Sequence, residues 1–324
     1  MKISIAMATY NGAKFLQEQL DSFLCQSRQP DELVVCDDGS SDETIEILEA
    51  FKKEAHFPVR IYINDKNLGH EGNFGKVIEL CTGKIIFLSD QDDVWFPEKL
   101  MTVDKIFESQ PKTLVVINDL EITDADLQLT GQTVLGQIRE SGILGKDDKG
   151  FIIGCGTAFR SELKAIILPM PELDFGHDKW IHNIAMAIGS RFVLEKKLQL
   201  YRRHESNASS WVFDAKNRVT WQGMVKLSSE MDMVPFYAKH RTALNIIERR
   251  LIALGPKFYA DFQILQSYYS SLFELVNAQS ALTRRAMLFQ STWLKRKMLA
   301  ASMLFRGDYK YFLGWRSFAK DLLR

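Results

Sequence analysis

Short apolar runs alternate with helix-spaced apolar positions through the first 120 residues. Ile3–Met7 is a short apolar run, and after it Leu16, Leu20, Phe23 and Leu24 recur at helical spacing. Leu33–Cys36 reads as a second buried strand, halted by Asp37-Asp38-Gly39-Ser40. Asp42 is placed to cap a helix carrying Ile45, Leu48 and Phe51 on one face. Arg60–Ile63 follows as a third strand, then a helix near Glu71–Cys81 ended by Gly83, then a fourth strand over Lys84–Leu88. Pro97 reads as the first position of another helix, and Leu114–Ile117 as a fifth strand. Continuous apolar strands alternating with helices predict an α/β fold with a mainly parallel sheet covered on both faces.

The pattern then changes. Residues 125–150 are rich in Gly and polar residues and read as a mobile loop, placed to order over a bound ligand and exclude water. Phe151–Phe159 resumes as a strand, Asp178–Ile188 as a helix and Phe192–Tyr201 as a strand. After Ser210 the pattern is helical almost to the end.

In parallel sheets ligands bind beyond the carboxyl ends of the strands, and the polar clusters of this chain fall there. Asp90-Gln91-Asp92-Asp93 places three carboxylates within four residues. They repel one another unless a cation sits among them, and hard oxygen ligands suit Mg²⁺ or Mn²⁺. The bland alternative is a solvated turn in which Asp93 caps the next helix. Asp37–Asp42 reads as a glycine turn before a capped helix, or as a carboxylate that accepts from a pyrimidine imide N–H. Ala8-Thr9-Tyr10-Asn11-Gly12 combines an aromatic ring able to stack on a base with backbone amides that favour phosphate. No Gly-x-Gly-x-x-Gly follows the first strand, which argues against a nicotinamide enzyme.

Together these segments resemble family 2 glycosyltransferases with the GT-A fold. The residues that carry the resemblance are Ile5–Asn11, Val35–Asp42, Asn67-Leu68-Gly69 and Phe87–Trp95. The ending Asp-Gln-Asp-Asp-Val-Trp is similar to the rhamnosyltransferase-like subgroup. The likeness is close over 1–120 and recognisable to about 210. It implies a GT-A catalytic domain over 1–210, with a nucleotide-sugar half at 1–120 and an acceptor half at 121–210, followed by a helical basic region at 211–324. It implies inverting transfer of a sugar from a nucleotide-diphosphate donor, a UDP- or dTDP-sugar, to a saccharide or lipid-linked acceptor. Tyr10 and Asp38 are then expected to contact the base, with Thr9 and Asn11 as further donor-binding candidates. Asp92 and Asp93 are expected to bind the ribose and the metal, with Asp90 as a further acidic candidate on the donor.

The resemblance also places a general base at Asp178, where His177 precedes it in place of the commoner Glu. Arg202, Arg203 or His204 is expected to face the leaving diphosphate, or His204 to ligate the metal. His56, His70, His182 and His240 read as bland. Outside this family, a nucleotidyltransferase or metal-dependent phosphatase, or a non-catalytic sugar-nucleotide binder, remains an alternative reading of the same clusters. Within it, transfer of another hexose or an N-acetylhexosamine stays open beside rhamnose.

Charge changes the picture in one place. The 41 Lys+Arg balance the 41 Asp+Glu, which gives no global field to draw in nucleic acid. Within 281–324, however, ten basic residues face only Asp308 and Asp321. This basic tail also holds Trp293, Trp315 and several Phe, Leu and Met residues, a combination that favours an anionic membrane surface. Four scattered cysteines read as buried thiols in a reducing compartment. No signal peptide and no spanning segment is expected, so the predicted location is cytoplasmic, peripheral on the inner face of the cell membrane.

Overall fold

Nine strands form one sheet in the order β3-β2-β1-β4-β8-β6-β9-β5, with β7 paired to β6. The structure, a computed structural model, describes residues 1–141, 151–172, 176–205, 207, 233–262, 265–312 and 314–323. The strands are β1 (Ile3–Thr9), β2 (Glu32–Asp37), β3 (Val59–Ile63), β4 (Ile85–Ser89), β5 (Val94–Trp95), β6 (Val115–Thr123), β7 (Leu129–Thr133), β8 (Thr157–Arg160) and β9 (Arg191–Arg202). The helices are α1 (Ala13–Leu24), α2 (Thr44–Glu54), α3 (Gly69–Leu80), α4 (Lys99–Ser109), α5 (Val134–Ser141), α6 (Lys164–Ile167) and α7 (His177–Ala187). After them come α8 (Met233–Phe262), α9 (Leu265–Phe289), α10 (Trp293–Phe305) and α11 (Trp315–Leu323).

The pairs β3–β2, β2–β1 and β1–β4 are all parallel, and the inner strands β2, β1 and β4 are buried almost throughout. Beyond β4 the sheet is mixed: β8 runs antiparallel between β4 and β6, while β9 returns parallel to β6. One core cluster gathers Ile3, Ile5 and Met7 of β1, Phe87 of β4, Leu16, Leu20 and Phe23 of α1, and Trp95. Trp95 meets Phe23 edge-on, with ring centroids 4.8 Å apart, and burying such a side chain is worth about 1.5–3 kcal/mol.

Several boundaries differ from expectation. Helix α4 begins at Lys99 because the Pro97 carbonyl accepts from the Ser27 amide and hydroxyl, which holds Pro97 in the preceding turn. The expected loop at 125–150 contains β7, laid against β6, and α5, while 142–150 lie outside the described residues. The expected strand over Phe151–Phe159 narrows to β8, because Gly154 and Gly156 sit in the turn that enters it. Asp42 caps across loops: Oδ1 accepts from Thr44 and Oδ2 from the amide of Ala13, the first residue of α1. Of the cysteines, Cys36, Cys81 and Cys155 are buried, whereas Cys25 is exposed.

The chain divides into two compact units. The first comprises Met1–Gln137, Gly150–Met186 and Ser190–Trp211, and the second Ile138–Lys149, Ala187–Gly189 and Val212–Arg324. Within the second, Leu288, Ala300, Met303, Tyr309 and Phe318 form a small core. Two ion pairs accompany it: Arg284, partly exposed, grips Asp308 through two 2.6 Å bonds, and the buried Arg285 grips Asp321 at 2.8 and 2.9 Å. Among the described residues, no helix is long and apolar enough to cross a membrane.

Candidate active site

The loops after β1 and β2 are laced together. Thr9 Oγ1 donates to Asp37 Oδ1 at 3.0 Å, and the Asp38 amide donates to the Thr9 carbonyl. Asn11 adopts φ +46°, and its Oδ1 accepts from the Ser41 amide while its own amide donates to Ser40. Gln91 brackets Tyr10 by accepting from its amide and donating to its carbonyl. Gly12 permits this bracket, because a Cβ there would overlap the Gln91 amide. The consequence is a division of labour. Thr9 and Asn11 spend their side chains on the loops, and the Tyr10 ring stands 50% exposed at the rim.

Asp38 does not offer itself outward as the sequence led us to expect. Its Oδ1 accepts from Asn64 Nδ2 and the Leu68 amide, and its Oδ2 from the Gly69 amide at 2.8 Å. The carboxylate therefore organises the Asn67-Leu68-Gly69 turn that begins α3.

Strand β4 delivers the acidic cluster, and its members diverge. Asp92 turns toward the end of β9, where its Oδ2 lies 2.9 Å from His204 Nε2 and 3.1 Å from Asn207 Nδ2. Asp93 turns inward and is fully buried. Its Oδ2 accepts from Gln199 Nε2 at 2.7 Å and its Oδ1 from the Arg202 amide. Beneath it the buried Lys99 donates to the Cys155 carbonyl and to Gln199, with its ammonium 3.8 Å from the centre of the Trp95 ring. Asp93, expected as a metal ligand, ties the strands here, and its carboxylate is also one of the group Asp90, Asp93 and Cys155 that could hold an ion. Its side chain prefers that place because Gln199 and the Arg202 amide meet both oxygens where water cannot.

Arg202 also departs from expectation. It is buried, with Nε on the Asp92 carbonyl, one terminal nitrogen on the Ala125 carbonyl and its guanidinium 4.5 Å from the centre of the Phe15 ring. It fixes the backbone of Asp92 instead of facing a diphosphate. Arg203 is half-buried and donates to the Tyr201 hydroxyl.

Asp178 opens α7 after Gly176, whose φ of +85° suits a residue without Cβ. The Gly176 amide donates to Glu71 of α3 at 2.6 Å, and Trp180 donates to the Ile167 carbonyl, so the helix start is anchored on both sides. Burial first, then repulsion from Asp92 and Asp178, pushes Asp90 up to about 7. Asp92 of the same loop and Asp178 of α7 therefore both act on Asp90.

Three buried or stacked groups were passed over in the sequence or only glimpsed. His177 stacks on Phe74 with centroids 3.9 Å apart, and neither ring nitrogen finds a hydrogen bond. Burial holds its pKa well below the ordinary histidine value, so it is a neutral ring, and Gly154 leaves room for it, since a Cβ there would sit 2.7 Å from Nε2. His70 lies edge-on to Phe74 and 4.9 Å from the His177 ring; burial lowers its pKa, and Asp178, Glu71 and Asp92 oppose that shift. Its only sequence signal is its place after Gly69. Lys99 carried none.

The donor set fits a hard divalent ion. Asp90 and Asp92 supply carboxylate oxygens whose mutual repulsion a cation would relieve, and His204 supplies an imidazole beside Asp92. Asp90, Asp93 and Cys155 also lie within 4.8 Å of one another. Burial raises the Cys155 thiol well above its ordinary range, and it donates toward the carboxylates. A neutral thiol is a poor ligand for Mg²⁺ or Mn²⁺, so of that trio the two carboxylates are the suited donors.

Residues 4–166, half of the chain, match Glycosyl transferase family 2. The chain belongs to that family, and its α/β fold is of the GT-A kind. An uncharacterized glycosyltransferase of Nostoc sp. is 28% identical over 215 residues, covering 64% of this chain and 66% of the relative. A dTDP-rhamnosyl transferase of Shigella flexneri is 35% identical over 98 residues, covering 29% of this chain and 34% of that protein. The matched stretches thus span two thirds or less of these relatives' own lengths. Among solved structures, S. aureus TarS 1-349 in complex with UDP-GlcNAc superposes with a TM-score of 0.55 at 16% identity, covering 97% of this chain and 90% of that one.

Proposed function

We propose that this chain transfers a sugar from a UDP- or dTDP-sugar, with inversion, to a hydroxyl of a saccharide or lipid-linked acceptor, and that it does so with a bound divalent cation. Rhamnose is the first donor sugar to test, since the Shigella flexneri relative bears that name and the Asp-Gln-Asp-Asp-Val-Trp segment resembles the same subgroup. The observation that carries the reading is the contact of Asp92 with His204 at one end of the sheet, with Asp92 and Asp178 both acting on Asp90.

Asp90, Asp92 and His204 would hold Mg²⁺ or Mn²⁺, which when bound would supply positive charge to offset that of the leaving diphosphate. Tyr10, exposed at the rim, stacks on the base. Asp178 takes the proton from the acceptor hydroxyl as that oxygen attacks the opposite face of the anomeric carbon. Arg202, Asp93 and Gln199 keep Asp92 in place while this happens.

The basic tail supports a peripheral place on the membrane. Its two acids are bound by Arg284 and Arg285, and no other carboxylate side chain lies in 281–324, so it is suited to the anionic inner face of the cell membrane. The test of the reading is an assay that follows both products. A nucleoside diphosphate released together with a new glycoside supports it, whereas free sugar phosphate would favour a phosphatase or nucleotidyltransferase.

A further inference from the structure

We propose that one face of α10, the stripe Leu294, Met298, Ala301 and Phe305, is the surface on which the chain lies against an anionic lipid membrane. The proposal rests on the membrane attachment read above for the whole tail, and it assigns that attachment to one helix face.

Helix α10 is apolar on two sides. On one, Ala300 and Met303 pack into the small core with Leu288, Tyr309 and Phe318. On the other, Leu294, Met298 and Phe305 are 64%, 68% and 91% exposed. These residues, with Ala301 between them, follow one another at steps of four, three and four, which aligns them along a single stripe. A surface helix needs only its core-facing stripe. The second stripe has no partner within the described residues, and contiguous exposed apolar surface marks an interaction site.

The charges beside it choose the occupant. Lys295 lies exposed on one flank, and on the other Lys297 reaches over the exposed Trp293 with its ammonium 4.0 Å from the ring centre. Arg306 follows at the end of the helix, and no acidic residue occurs between Gln290 and Gly307. The nearby carboxylates do not reach this surface: Asp308 and Asp321 are buried and held by Arg284 and Arg285. A second copy docked on the same face by two-fold symmetry would set lysine against lysine. Anionic headgroups instead complement the lysines, which extend upward while the stripe enters the acyl boundary and Trp293 takes the interface.

The test uses the full chain floated with phosphatidylcholine vesicles, with and without phosphatidylglycerol. Two variants accompany it, Leu294→Ser/Met298→Ser/Phe305→Ser and Lys295→Glu/Lys297→Glu, each checked for native helical signal and for donor binding. The wild type should bind the phosphatidylglycerol vesicles. The apolar triple variant should bind at least ~10-fold more weakly, and the charge variant should lose the preference for anionic lipid. Equal binding by the triple variant would overturn the face assignment and leave the tail attachment standing. Failure of the wild type to bind any vesicle would overturn both. Self-association in sedimentation that the triple variant abolishes would assign the stripe to a second copy, also against the proposal.

Discussion

His204 Nε2 lies 2.9 Å from Asp92 Oδ2, joining the end of β4 to the end of β9 across 112 residues of chain. The contact gives Asp92 a fixed direction, and Asn207 supports it by donating to the same oxygen while its Oδ1 accepts from the His204 amide. An imidazole so placed can share a divalent ion with the carboxylate. His204→Ala should lower Mn²⁺ affinity by roughly 10- to 100-fold, read by paramagnetic resonance of bound Mn²⁺. Unchanged affinity would remove His204 from the ion site.

Asp178 heads α7 with its helix start pinned by Glu71 and Trp180. Asp178→Asn keeps the shape and loses the proton acceptor. It should bind donor as the wild type does and transfer sugar ~100-fold more slowly or worse. Normal turnover would place the base elsewhere.

Asp93 and Asp92 are neighbours with opposite duties. Asp93→Asn weakens the buried tie to Gln199 and the Arg202 amide, and Lys99→Met strips the cation beneath it. Each should cost on the order of 3 kcal/mol in urea unfolding. The folded Asp93→Asn protein should still take up Mn²⁺, whereas Asp92→Asn should not. The reverse pattern would make Asp93 the ligand.

Glu32 ties β2 to its neighbours. Burial alone would raise its pKa, but hydrogen bonds from Ser4, the Thr82 amide and hydroxyl, and Arg60 bring it from 4.5 down to about 2. A carboxyl depressed on folding contributes stability that is fully present above its unfolded value and is lost as pH falls through the folded one. The Glu32→Gln variant should therefore be less stable by on the order of 3 kcal/mol at pH 7. That gap should close between about pH 4.5 and pH 2. A gap independent of pH would refute the assignment.

The parallel half of the sheet was legible because its inner strands β1, β2 and β4 are buried on both faces, so their sequences are largely apolar without alternation. Asp90-Gln91-Asp92-Asp93 was legible for a related reason, since adjacent like charges at a strand end require compensation. What the sequence hid is direction. Nothing in Arg202-Arg203 distinguishes an arginine folded inward onto the Asp92 and Ala125 carbonyls from one facing a ligand. Lys99 looked like an ordinary helical lysine, yet it lies under Trp95 because Gln199 and the Cys155 carbonyl await it there. The short strand β7 escaped notice because its pairing with β6 is set by a turn at Asp124–Gln128, not by an apolar pattern.

The central claim is that this chain binds a nucleoside diphosphate sugar through a divalent ion held by Asp92, and calorimetric titration tests it most directly. UDP, dTDP and GDP would each be titrated in Mn²⁺ and again in EDTA, with wild type and Asp92→Asn. The account predicts that UDP or dTDP binds at least ~10-fold more tightly with Mn²⁺, and that Asp92→Asn erases the difference. Equal affinity in EDTA, or no binding of any of the three, would contradict it.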